Sequence, residues 1–240
     1  MAKTKQRNQN RRQTAFVTGG IVIISILVVL VLIRITSPTG LSSAEDLGPD
    51  PTIPRGLTSD GLHSLGAAEA PVTVLLYEDY GCPNCKSSFI DVESLLITDY
   101  IATGRVRLVI YPIAFVNLAS LPGAEAVLCA AEQGFFWEYR EVAFLNQGRL
   151  AFSRDNFLLM ANVVGLDTAG FLGCYDAAKF RDSILEHTEA AQQFGLSGTP
   201  TFVIAGQSYP GLRPYTSDNP EVPGLKEIVE EALAAIELND

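Results

Sequence analysis

The run Val72-Thr73-Val74-Leu75-Leu76-Tyr77 follows Pro71 and leads directly into Glu78-Asp79-Tyr80-Gly81-Cys82-Pro83-Asn84-Cys85; no other feature constrains the fold as strongly. A short apolar, β-branched run of this kind reads as a buried strand. Beyond the cysteines, Phe89, Val92, Leu95, Leu96 and Tyr100 recur at helical spacing, to about Ala102. Arg105-Val106-Arg107-Leu108-Val109-Ile110-Tyr111 alternates and then runs apolar, as a second strand does. Strand, helix and strand make a βαβ unit with a right-handed crossover. The class is therefore α/β, with the C-x-x-C motif fixed where the first strand gives way to the helix.

Residues from about 115 to 195 read as a helical insertion rich in Ala, Leu, Glu and Phe, with loop signals at Gly148, Gly165-Leu166-Asp167 and Gly173. Thr199-Pro200-Thr201-Phe202-Val203-Ile204-Ala205-Gly206, a second extended stretch near Gln207–Leu212, and an amphipathic helix from about Val222 to Leu238 follow. The order is βαβ, helical insertion, ββα.

Two thiols in C-x-x-C spacing at a helix start are close enough to cross-link, and the first meets the positive end of the helix dipole. Unpaired N–H groups of the first turn stabilise a Cys82 thiolate, and Pro83 suits a first-turn position where its missing N–H costs nothing. Cys82 is thus the candidate attacking sulfur and Cys85 the resolving one. Half of a zinc site is the rival reading, but no second Cys pair completes it, and the only histidines are His63 and His187. A copper-chaperone site lacks a nearby His or Met, and so tight a loop rarely serves as a structural disulfide.

APVTVLLYEDYGCPNC, the helical stretch after it, and GLSGTPTFVIAG together resemble the DsbA-like branch of the thioredoxin superfamily, over about residues 62–238. The resemblance implies a thioredoxin-like fold without a cofactor, and redox exchange through Cys82 and Cys85. It implies that the Thr199-Pro200 peptide is cis and lies beside the cysteines, where it aligns a substrate strand. Relatives that are strong oxidants often carry Pro-His between the cysteines. Pro83-Asn84 here brings no charge, which implies a milder potential. The buried acid that relatives often place six residues before the first cysteine is Leu76; Glu78 or Asp79 is the candidate substitute. The resemblance also implies a partner, a membrane quinone-linked reoxidant of the DsbB or vitamin-K-epoxide-reductase type, and thiol-containing exported proteins as substrates.

Cys129 and Cys174 fall in the insertion. Outside the cytoplasm two such cysteines are expected to pair, and some DsbA-like relatives carry a disulfide joining these parts. Two buried free thiols, or a second redox pair, are the alternatives. Phe135-Phe136-Trp137-Glu138-Tyr139 is read as packing the insertion onto the core, and His63 and His187 as surface or capping residues.

Ahead of the domain, Phe16–Ile33 holds no charge over a length that spans ~27 Å as a helix, close to a bilayer core. Five basic residues precede it, so the N-terminus is expected to be cytoplasmic. A cleaved signal peptide has a shorter apolar region. The expected organisation is a basic tail (1–15), a transmembrane anchor (16–35), a linker (36–60) and an extracytoplasmic domain (61–240). Beyond residue 35 the chain holds 11 basic against 27 acidic groups, which argues against nucleic acid as a partner. Three function classes remain: a disulfide-donating oxidase, a reductase or isomerase of the same fold, and a membrane-tethered chaperone or metal carrier without turnover.

Overall fold

In a computed structural model that describes residues 47–238, six strands form one mixed sheet. At its centre β3 (Val72–Glu78) and β4 (Val106–Pro112) run parallel, in register from Val72 opposite Val106 to Glu78 opposite Pro112. On the β3 side, β5 (Thr201–Ile204) and then β6 (Gln207–Pro210) add antiparallel. On the β4 side, β2 (His63–Leu65) and then β1 (Arg55–Leu57) do the same. The order across the sheet is β1-β2-β4-β3-β5-β6.

Both faces of the central pair are covered, as the nearly continuous apolar character of its strands requires. Val72, Val74 and Leu76, with Val106, Leu108 and Ile110 beside them, enter the main core. There they join Val92, Leu96 and Tyr100 of the helix that follows β3, and Leu225, Ile228 and Val229 of the C-terminal helix (Leu225–Glu237). Tyr77, Ile113, Ala191 and Leu196 form a smaller cluster with Leu75, Tyr111 and Val203. Each large apolar side chain so buried contributes about 1.5–3 kcal/mol.

Helix α1 begins as Pro83–Ser88 and continues to Ile101 through two π-turns, Phe89–Glu93 and Ile97–Ile101, separated by Ser94–Leu96. The wider turns break the 3.6-residue register, so Leu95, which helical spacing would bury, is exposed. The insertion consists of α2 (Ser120–Ala131), α3 (Phe136–Asn146), α4 (Arg154–Val164), α5 (Thr168–Asp176) and α6 (Arg181–Gln193). Gly165 closes α4 in the left-handed conformation, and the Asp167 side chain caps α5 by accepting from the Ala169 and Gly170 N–H groups. With α5 capped there, Gly173 is carried inside the helix instead of marking a loop. A disulfide joins Cys129 of α2 to Cys174 of α5, with Cα atoms 5.7 Å apart.

Three expectations need correction. The linker drawn over 36–60 is too long. Leu47 and Ile53 are buried, the Gly48 N–H donates to Glu141 at 2.6 Å, Arg55 pairs with Glu138 at 2.5 Å, and β1 lies within that range. Three-residue edge strands with few apolar positions leave no periodicity to read. The histidines are not plain surface residues either: His63 stacks on Phe136 at 3.9 Å, and His187 packs on Tyr111 at 4.7 Å. Finally, Gly173 is helical. The aromatic run packs inward, with Phe136, Trp137 and Tyr139 all buried. The basic tail (1–15) and the anchor (16–35) lie outside the described residues.

Candidate active site

The turn that follows β3 is held from three directions. The Asp79 carboxylate is buried and accepts from the N–H groups of Gly81 (2.7 Å), Phe115 (2.9 Å) and Val116 (3.0 Å), which ties the turn to the loop after β4. The Asn117 amide donates to the Gly81 carbonyl at 2.6 Å. From the end of α3, the Gln147 amide donates to the Tyr80 carbonyl (2.6 Å) and the Cys82 carbonyl (3.1 Å). Gly81 is required by this close approach, since a Cβ there would stand 2.5 Å from Asn117 Oδ1 and 2.6 Å from Ser120 Oγ.

Cys82 caps α1 in extended conformation, with Pro83 as the first helical residue. Its carbonyl accepts from the Cys85 and Lys86 N–H groups, at 3.1 and 3.3 Å. Its thiol donates to the Thr199 carbonyl at 3.3 Å, and the Thr199-Pro200 peptide is cis. Both cysteines are free thiols and both are buried, while Pro83 and Asn84 are exposed. A hydrogen bond from the Cys85 thiol lowers the Cys82 pKa to about 6, against the opposing effect of burial. Further hydrogen bonds from Thr199 and from the backbone of Cys85 and Asn84 act in the same direction. The Thr199 hydroxyl is buried without a partner in the dithiol and is free to donate once the thiolate forms.

Burial drives the Cys85 pKa far upward, and the Cys82 sulfur beside it adds to the shift. Among the described residues the Asp79 N–H is the backbone donor to Cys85 Sγ, at 3.4 Å. The two shifts run in opposite directions, so loss of a proton is favoured at Cys82 and retention of one at Cys85. That division suits an attacking and leaving sulfur at 82 and a resolving sulfur at 85.

The two acids proposed as substitutes for the missing buried carboxylate are committed elsewhere. Asp79 spends its carboxylate on three backbone N–H groups and meets Cys85 through its main chain. Glu78 accepts from Tyr80 Oη at 2.8 Å and from Arg140 at 2.7 and 2.8 Å, and Arg140 in turn donates to Glu93 at 2.6 Å. All three members of this ion-paired group are buried. Among the described residues neither carboxylate hydrogen-bonds to a thiol of the pair, and Leu76 is an ordinary core residue. Asn117, Gln147 and Lys86 were not anticipated. Each is a single polar residue with no local pattern: Asn117 and Gln147 arrive from a loop and a helix end far away in sequence, and Lys86 lies one turn into α1. Among the described residues, no cluster of three or more His, Cys, Asp or Glu side chains has metal-binding geometry.

The thioredoxin family model matches residues 58–231. An Na(+)/H(+) antiporter NhaA 3 from Salinispora tropica is 34% identical over 149 residues, which is 62% of this chain and 22% of that protein; the chain thus spans under a quarter of that relative. A probable disulfide bond formation protein D from Bacillus anthracis is 24% identical, over 71% of this chain and 77% of its own length. A thioredoxin-like oxidoreductase from Silicibacter pomeroyi DSS-3 superposes with a TM-score of 0.58 at 26% identity, covering 79% of this chain and 94% of that one. The matched segment takes in β2 to β6, the whole insertion, both cysteines of the pair and Thr199-Pro200, and on these grounds the chain belongs to the thioredoxin family.

Proposed function

We propose that this chain is a thiol–disulfide oxidoreductase that donates its Cys82–Cys85 disulfide to exported proteins, held at the outer side of a membrane by an anchor at residues 16–35. The observation that carries this reading is the unequal pair: a Cys82 thiol of pKa about 6 within hydrogen-bond reach of Thr199, beside a Cys85 kept protonated by burial. In the first step a substrate thiolate attacks Cys82 Sγ. The Cys82–Cys85 bond breaks, and Cys85 leaves and takes a proton. In the second step another substrate thiolate attacks its own sulfur in the mixed disulfide and expels Cys82 as a thiolate. The substrate gains a disulfide and the enzyme holds two electrons. These pass to a membrane quinone-linked reoxidant of the DsbB or vitamin-K-epoxide-reductase type. Low basicity at Cys82 favours that final expulsion, because the better leaving group stabilises the reduced enzyme.

The test is the reduction potential of the pair, by equilibration with glutathione and thiol trapping. A Cys82 pKa between those of thioredoxin and DsbA gives an expected potential between roughly −270 and −120 mV, on the oxidising side of thioredoxin. A value at or below about −270 mV assigns the chain to reduction instead.

A further inference from the structure

A cleft of about 400 Å³ opens directly beside Cys82, lined by both of its neighbours, Gly81 and Pro83. Leu150, Ala151 and Phe152 give it an apolar wall, and Lys86 and Asn117 give it polar edges. Leu118, between two lining residues, is almost fully exposed. Two cations, Lys86 and Arg149, stand close to one another here. Arg55, Arg105, Arg140, Arg154, Lys179 and Arg181 each meet a carboxylate. Among the described residues Lys86 and Arg149 meet none, as is also true of Arg107, Arg213 and Lys226; what sets the first two apart is that they lie beside each other at the cleft.

Lys86 lies one helical turn after Cys82. Its ammonium donates to the Gln147 carbonyl at 2.6 Å, at the end of α3. Arg149 is exposed, on the loop between the lining residues Gly148 and Leu150. Burial and the nearby Arg149 charge both make the Lys86 ammonium less favourable. Two adjacent cations without an acid, on a strongly acidic domain, leave an electrostatic cost that a bound carboxylate would relieve. An apolar wall and a cationic rim at the reacting sulfur define what fits there.

We infer that this cleft seats the segment adjoining the reacting cysteine of a protein substrate, and that Lys86 and Arg149 select segments carrying Asp or Glu. The inference rests on the exchange activity proposed above and assigns it a substrate preference.

The experiment uses the oxidised full-length protein and three dithiol peptides identical except at the two positions flanking the first cysteine, which are Glu, Gln or Lys. Second-order oxidation rates are measured for the parent protein and for Arg149→Glu, a change at an exposed position. A change in thiolate reactivity alters all three peptides alike, so the Glu-to-Lys rate ratio isolates the cleft. At low salt that ratio should fall roughly five- to tenfold from parent to variant, with most of the difference gone at ~1 M salt, where screening acts within a few ångströms. A ratio that is the same in both proteins overturns the inference while leaving the proposed activity intact. Failure of both proteins to oxidise even the Gln peptide overturns the activity and this preference with it.

Discussion

The domain holds two cysteine pairs that differ in what surrounds the sulfur. Cys82 and Cys85 sit at the first turn of a helix, with the Thr199 carbonyl and the backbone N–H groups of Asn84 and Cys85 beside the first sulfur. Cys129 and Cys174 lie inside α2 and α5, where backbone N–H groups are spent on the helices themselves, and both side chains belong to the apolar core. Position along a helix thus separates the pair proposed to exchange from the pair that staples. Spacing alone does not separate them, since two cysteines 45 residues apart could serve either end.

The largest effect that tests this contrast is loss of exchange. Cys82→Ser should abolish peptide oxidation, whereas Cys85→Ser, offered a disulfide-bonded peptide, should accumulate a mixed disulfide through Cys82 with release of the peptide's other thiol, visible by non-reducing electrophoresis and mass spectrometry. Substituting both Cys129 and Cys174 by Ala should leave the exchange rate within a few-fold of the parent. If the double Ala protein, still folded, loses exchange, the two pairs form one electron path and the contrast collapses.

Next in size is stability. Closing a 45-residue separation removes chain entropy worth up to about 4 kcal/mol on the loop-closure model. Replacing Cys129 and Cys174 by Ala should lower the urea midpoint by a corresponding amount, with the slope nearly unchanged. In the reduced parent, acidification should lower the urea midpoint. The Cys82 pKa is lowered on folding, so the thiolate stabilises the reduced fold. That contribution is complete above the unfolded value near 9 and is lost as pH falls through about 6.

The reactive pair was the more legible of the two in sequence, because strand, C-x-x-C and helix start are contiguous and each carries a local signal. The opposing loop was legible through Thr199-Pro200, where a family resemblance supplied what spacing does not. What remained hidden is assembled from distant, isolated side chains. Arg140, Glu78 and Glu93 sit on three separate elements with no local pattern that joins them, yet they are buried together. Gln147 and Asn117 carry no pattern that points at residues 80–82, and only the docking of α3 and of the loop before α2 brings them there. Leu95 was misplaced because π-turns shift the helical register, a change that leaves no mark in composition.

The smallest effect concerns position 84. Cys82 owes its low pKa first to the Cys85 thiol and then to neighbouring hydrogen bonds, with the Asn84 backbone among them and no cationic side chain required. Asn84→His adds a charge that the native pair lacks, at an exposed site where substitution costs little packing. Alkylation of the reduced protein by iodoacetamide reports the thiolate: for the parent, the rate should fall tenfold per unit below about pH 6 and level off above it. In Asn84→His the midpoint should move down by about one unit, which corresponds to roughly 1.4 kcal/mol, and the reduction potential should rise by about 30 mV. The shift should appear most clearly below the imidazole pKa near 6.5, where the added group is an imidazolium. A midpoint that stays near 6 means that neutral hydrogen bonds already set the thiolate energy, and that the reactive pair differs from the stapling pair by helix position alone.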